Sequence, residues 1–272
     1  MAENKKVYVV ERMMHMKVLA VGDMVGENGL KKLKDLLPTI IDKEGIDFVI
    51  VNAENCSGGM GITIKDFNTL QSMRIDAITM GNHTWGKKDI FAFIDNPKLL
   101  RPANYSDGVP GKGCNIFNCN NKNIAVINLI GRTDMNVLSE NPFIVAERLI
   151  DKLKDKADII VVDFHAEATA EKIAMKHFLD GKVTAIFGTH THVQTADEEV
   201  TDKGTGYITD LGMTGPKNSV IGMDAKASIK RFVTSLPERY KLAQGQVELN
   251  GCVFEINDVT CKTMKVYRIK YK

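Results

Sequence analysis

No window of this chain approaches 18 consecutive apolar residues, so nothing in it reads as a membrane span. Nor does it carry an excess of one charge. Its 36 basic residues face 34 acidic ones, and a formal net charge of +2 gives no chain-wide pull toward DNA or a membrane surface. A small charged substrate stays open. The sequence has no C-x-x-C pair. Its five cysteines, Cys56, Cys114, Cys119, Cys252 and Cys261, are odd in number, which argues against a disulfide framework and a zinc knuckle and for a reducing, cytoplasmic setting. Internal repeats and low-complexity tracts are also missing. Residues 1–15, ending in Met13, Met14 and His15, have no apolar core followed by a small-residue cleavage site, so they read as an extension or remnant rather than a signal peptide.

What is present is an ordinary globular composition, 44% hydrophobic and 26% charged. Residues 16–272 are expected to form one domain, because α/β folds of this length often share a single core. Short β-rich runs alternate with amphipathic stretches. Strands are expected at Val18–Val21, Phe48–Val51 and Ala77–Met80, with helices over Leu30–Ile41, Ile64–Met73 and Lys88–Ile94. Residues 101–123, rich in Gly, Pro and Asn, break this rhythm and read as a surface loop with a turn at Asn120-Asn121. The alternation then resumes, with strands at Ile124–Ile130, Ile159–Asp163 and Val183–Phe187 and helices over Phe143–Lys154 and Thr169–Leu179. The alternating stretch Val247–Tyr271 suits antiparallel edge strands closing a second sheet.

Polar residues cluster just after the predicted strands, where open α/β sheets place their ligand crevices. Asp23, the pair Glu54-Asn55, the pair Asn82-His83, then His165, and finally His190 with His192 mark five strand ends. Singly each has a structural explanation: a cap, a left-handed turn, a satisfied core histidine. Together they point to a metal site, and Gly188-Thr189-His190-Thr191-His192 is the sharpest local signal, able to serve two metals. Cys56 lies beside this group and could be reactive, although packing is the favoured reading. His177 falls mid-helix and reads as structural.

The order of these elements resembles the calcineurin-like metallophosphoesterase superfamily. Two departures matter: Asp23-Met24-Val25 lacks the histidine of D-x-H, and Asn52-Ala53-Glu54-Asn55 stands in place of G-D. They point to the bacterial YmdB-like family, which the chain resembles through G-D-x-V-G, N-A-E-N, G-N-H-T-W, F-H-A-E-A-T, G-T-H-T-H-V-Q-T-A-D and G-M-T-G-P. The resemblance implies a four-layer α/β/β/α sandwich with two mixed sheets flanked by helices. It also implies a cytoplasmic binuclear phosphodiesterase acting on small diesters, 2′,3′-cyclic nucleotides such as 2′,3′-cAMP.

Carried onto this sequence, Asp23, Asn55 and His192 would hold one metal and Asn82, His165 and His190 the other, with Glu54 bridging. Iron is favoured, with Mn or Zn as alternatives for an N/O ligand set. A hydroxide shared by two ions about 3.5–4 Å apart would attack phosphorus, and His83 would be the general acid. Gly59, in Gly58-Gly59-Met60-Gly61, could cradle phosphate or only turn the chain. Arg132 could clamp phosphate or form a surface ion pair. Gly212-Met213-Thr214-Gly215-Pro216 could shape the pocket or an oligomer contact. Alternatives are a phosphomonoesterase or protein phosphatase, and a regulatory nucleotide- or RNA-binding protein with incidental hydrolysis. Partners expected are a small phosphodiester, no membrane and no DNA, with a homo-oligomer admitted.

Overall fold

The structure, a computed structural model, describes residues 15–239 and 241–272. Residues 1–14, most of the segment read as an extension, lie outside the described residues; His15 opens the first strand.

One sheet takes β1 (His15–Val21), β2 (Asp23–Met24), β3 (Phe48–Asn52), β4 (Ala77–Thr79) and β5 (Leu99–Leu100). To these are added β12 (Met213–Pro216), β13 (Val247–Asn257) and β14 (Thr263–Tyr271). Strands β1, β3, β4 and β5 run parallel, while β13 pairs antiparallel with β1 and β14. The second sheet has the order β10 (Glu199–Val200), β11 (Gly206–Ile208), β9 (Ala185–Thr189), β8 (Ile159–His165), β7 (Lys122–Ile130) and β6 (Cys114–Cys119). Its β11, β9, β8 and β7 are parallel, and β6 and β10 are antiparallel edges.

Side-chain alternation produces the layers. Val18, Ala20, Phe48 and Ile50 meet Ile124, Val126, Ile159 and Val161 between the sheets. The intervening Leu19, Val21, Val49 and Val51 face outward onto α1 (Gly26–Glu44) and α2 (Ile64–Gln71). Ala125, Ile127, Ile160 and Val162 likewise face α3 (Pro142–Leu153) and α4 (Thr169–Leu179). Because both faces of each sheet are covered, the central strands are apolar throughout. In α1 the buried Leu30, Leu33, Leu37, Ile40 and Ile41 follow helical spacing, and Gly45 at φ 67° closes the helix by returning its N–H to the Ile41 carbonyl. Asn141 caps α3, accepting from the Phe143 N–H at 3.0 Å, with Pro142 at the first turn. The result is the four-layer α/β/β/α sandwich with two mixed sheets.

Three local expectations change. The stretch Val247–Tyr271 does not close the second sheet: β13 lies inside the first sheet between β12 and β1, and alternation carries no information about which partner a strand finds. The loop read over 101–123 contains β6, which pairs with β7 across Asn120-Asn121, both at positive φ, so the turn stands and the loop becomes a hairpin. The helix expected at Lys88–Ile94 is a short 3₁₀ turn, Lys88–Ala92. A further helix, α5 (Ala225–Thr234), had no forecast. It buries none of its residues, so no core stripe marks it.

Candidate active site

The strand ends deliver the polar residues to one cleft. Glu54 and Asn55 follow β3, Asn82 and His83 follow β4, His165 ends β8, and His190 and His192 follow β9, while Asp23 comes from β2. The cleft has a volume of about 230 Å³, and Glu54, Asn55, His83, His190 and His192 are among its walls. Asp23, Glu54 and His165 are fully buried.

Four of these side chains converge on one point. The Nε2 of His165 lies 2.9 Å from Asn82 Oδ1, 3.2 Å from Glu54 Oε1 and 3.0 Å from His190 Nδ1. Glu54, His165 and His190 each bring a ligand atom within 4.8 Å of the others. Asp23 joins through its Oδ2, which accepts the His190 backbone N–H at 3.0 Å.

The surrounding hydrogen bonds fix which nitrogen of each ring is free. His192 Nδ1 donates to the Ile221 carbonyl at 2.9 Å, leaving its Nε2 lone pair. His190 Nε2 faces Glu167 Oε2 at 3.2 Å and donates there, leaving Nδ1. Thr189 gives its hydroxyl proton to Asp163 Oδ1 at 2.8 Å, so it accepts from His165 Nδ1 at 2.9 Å and leaves His165 Nε2. Asn55 spends its amide on the Gly59 carbonyl at 3.1 Å and on His83 Nδ1 at 3.0 Å, which aims its oxygen elsewhere. That oxygen, Asp23 Oδ1 and Glu54 Oε1 are buried without a hydrogen-bond partner.

Facing lone pairs and orphaned oxygens call for positive charge, because unpaired buried acceptors are costly. Protein groups alone already respond to that demand. Burial opposes a charged His165, but Glu54, Asp23 and Asp163 outweigh it and raise the ring to about 9. Burial and the charge on His165 lower His190 to about 3. Burial also works against an ionised Glu54, yet His165 and His83 hold its carboxyl well below the usual range. Burial pushes Asp23 up. Donor atoms about 3 Å apart suit a cation with bonds near 2.1 Å, and imidazole nitrogen with carboxylate and amide oxygen suits Fe, Mn or Zn, so the residues fit a metal.

The His190-Thr191-His192 loop is held under strain. His190 and His192 have φ values of 100° and 64°, a region that non-glycine residues adopt only when their surroundings impose it. Asp210 imposes it. Its Oδ2 accepts from the Thr191 N–H at 3.1 Å, the Thr191 hydroxyl at 2.7 Å and Lys172 Nζ at 2.7 Å, while Oδ1 accepts the Gly212 N–H at 2.8 Å. The Gly212 carbonyl in turn holds the Asp23 N–H at 3.0 Å. Gly81 has a different reason to be glycine: a Cβ there would stand 2.3 Å from both Glu54 Oε2 and His165 Nε2.

Sequence reasoning missed several of these participants. Glu167 stands within F-H-A-E-A-T, which by itself assigns it no role. Asp163, Thr189, Asp210 and Lys172 carried no signal because their importance rests on burial and long-range contact. Of the weaker candidates, Gly59 lines the cleft at φ 84°. Arg132 is not among the cleft walls, and its backbone N–H bonds to Glu171. Cys56 is fully buried and its thiol is pushed up by that burial, in keeping with a packing role.

This two-sheet sandwich, with histidines, carboxylates and carboxamides gathered at its strand ends, defines a phosphoesterase. A family model described as YmdB-like protein matches residues 19–269, and the chain belongs to that family. Over 255 residues it is 48% identical to a Bacillus subtilis (strain 168) protein named 2′,3′-cyclic-nucleotide 2′-phosphodiesterase, spanning 93% of this chain and 96% of that one. It resembles the crystal structure of a novel phosphatase from Mycoplasma pneumoniae with a TM-score of 0.90 and 39% identity, covering 95% and 94% of the two chains. A hypothetical protein from Thermus thermophilus aligns with a TM-score of 0.88 and 35% identity, covering 94% and 99%. Among the described residues, no helix is long and apolar enough to cross a membrane.

Proposed function

We propose that this chain is a metal-dependent phosphodiesterase for small diesters, with 2′,3′-cyclic nucleotides as the substrate class. The observation that carries the reading is the convergence of Asn82 Oδ1, Glu54 Oε1 and His190 Nδ1 on His165 Nε2. The Bacillus subtilis relative's name supplies the substrate class and the ester bond, that to O2′.

Asn82, His165 and His190 would hold one ion, Asp23, Asn55 and His192 the other, and Glu54 would reach both. Iron is the favoured metal. When bound, the pair supplies Lewis-acid activation of water and of the phosphoryl oxygens. The protein's own part is position and protons. Hydrolysis adds the oxygen of water to phosphorus and breaks the bond from phosphorus to O2′, leaving a 3′-phosphate and a 2′-hydroxyl. O2′ needs a proton as it leaves. His83 Nδ1 lies 3.0 Å from Asn55 Nδ2 and 3.4 Å from Glu54 Oε1, which leaves Nε2 for the cleft, and its side chain is 29% exposed in the cleft wall. In its imidazolium form His83 gives a proton from Nε2 to the departing alkoxide and is left as the neutral imidazole. Thr189 and Asp163 fix the His165 ring, and Asp210 fixes the loop that carries His190 and His192.

The test is hydrolysis of 2′,3′-cAMP against a simple phosphomonoester by protein loaded with Fe, Mn or Zn. Metal-dependent formation of 3′-AMP supports the reading. Turnover of the monoester alone would replace it with a phosphatase, and no metal-dependent turnover would remove it.

A further inference from the structure

A second cavity, of about 330 Å³, adjoins the cleft and shares His192 and Ile221 with it. Its size reaches the lower end of small-molecule pockets. Three cations line it: Lys217, Arg268 and Lys270. Arg268 Nε is paired with Glu198 at 2.8 Å and Lys270 Nζ with Glu248 at 2.8 Å. Lys217 has no ion-pair partner among the described residues, and it is exposed. It follows directly on β12, the strand built by Gly212-Met213-Thr214-Gly215-Pro216, so that motif delivers a free ammonium to the cavity rim. Two apolar side chains stand in the same walls, Val193 at 61% and Ile221 at 50% exposure.

A charged rim and an exposed apolar wall beside a phosphoesterase cleft match the two faces of a nucleotide, which offers an anionic phosphate and flat apolar surface together. The whole chain is close to neutral, so the free cation here is a local feature and not a sample of a basic surface. A cyclic mononucleotide whose phosphate lies at the His165 cluster carries no second phosphate for Lys217 to meet. An oligonucleotide does.

We propose that this cavity is a subsite for a second nucleotide unit, and that the substrate class extends to short oligoribonucleotides ending in a 2′,3′-cyclic phosphate. Lys217 meets the internucleotide phosphate, and Val193 and Ile221 support the sugar or base. The inference rests on the phosphodiesterase reading above. It sets specificity and leaves the chemistry at the cyclic phosphate as described. With no aromatic platform in the cavity, the effect is that of one charge-assisted contact.

The experiment compares kcat/KM for 2′,3′-cAMP with that for the dinucleotide ApA ending in a 2′,3′-cyclic phosphate, using the metal-loaded full chain. The dinucleotide is expected to be preferred by about tenfold or more. Lys217→Ala should reduce that ratio about tenfold, and Lys217→Arg should largely restore it. A variant that merely disturbed the fold would lower both values and leave the ratio unmoved. A wild-type ratio near one, or a ratio unchanged in Lys217→Ala, overturns the subsite while leaving the phosphodiesterase reading intact. Failure to hydrolyse either substrate overturns both.

Discussion

Lys172 Nζ and Asp210 Oδ2 lie 2.7 Å apart as a fully buried ion pair behind the His190-Thr191-His192 loop. Lys172 satisfies one acceptor position of a carboxylate whose other bonds hold Thr191, between the two histidines, and Gly212. Removing one partner of a buried pair strands the other charge. Asp210→Asn should lower stability by about 3–5 kcal/mol and metal affinity by roughly 10–100-fold. The double variant Asp210→Asn with Lys172→Met should recover part of the stability but not the affinity, because the Thr191 contacts are still weakened. Urea denaturation and metal titration separate the two quantities.

His83 touches Asn55 and Glu54 and is exposed to the cleft. His83→Ala should retain the metal content of the wild type and lose about 10²–10⁴-fold in turnover. Elemental analysis beside steady-state kinetics checks this. Loss of metal in the variant would make His83 a ligand instead.

Gly81→Ala tests close approach at the proposed metal cluster, since the new methyl would stand 2.3 Å from Glu54 Oε2 and from His165 Nε2. Both side chains must move. The variant should keep its far-ultraviolet circular dichroism and lose most of its metal binding. Unchanged metal affinity would count against the ligand assignment.

Chelation should lower the melting temperature, and readdition of metal should restore it. Asp23 Oδ1, Glu54 Oε1 and Asn55 Oδ1 have no hydrogen-bond partner, and a cation bound only by the folded state stabilises it in proportion to its occupancy. A melting temperature indifferent to chelator at any metal concentration would contradict the assignment.

Asp163 supplies a pH signature. Burial raises its carboxyl from 3.8 to about 6, although Thr79, His165 and Thr189 oppose the shift. Between those values the folded protein holds a proton that the unfolded chain has released. This contribution to stability is therefore present below about pH 4 and is lost as pH rises through 6. Its full extent is on the order of 3 kcal/mol. Asp163→Asn should flatten the slope between pH 4 and 6, read from denaturation midpoints of chelator-treated protein.

Much of the site was legible because its chemistry is written in residue type and order. His165, His190 and His192 could be placed at strand ends by counting apolar runs, and the missing histidine after Asp23 was visible as a departure from a motif. The helices α1, α3 and α4 were legible for a similar reason: their buried stripes repeat at helical spacing. Elsewhere the signal was local and the cause was not. Val247–Asn257 looks like a strand in any register, and only competition among distant edges sets it beside β1. Residues 114–119 read as loop because Gly and Asn surround a strand whose partner supplies the pairing.

By itself, then, the sequence determined the alternation of strands and helices and the set of strand ends that carry histidine, carboxylate and carboxamide side chains, since periodicity and side-chain chemistry are properties of short stretches. Only the tertiary structure decided which atoms face the cleft. The tautomers of three histidines and the direction of Asn55 depend on Thr189, Glu167, Ile221 and Gly59. The strained backbone of His190 and His192 depends on Asp210 and Lys172. These are contacts across many residues of chain, and they acquire their strength from burial, which no short stretch of sequence carries.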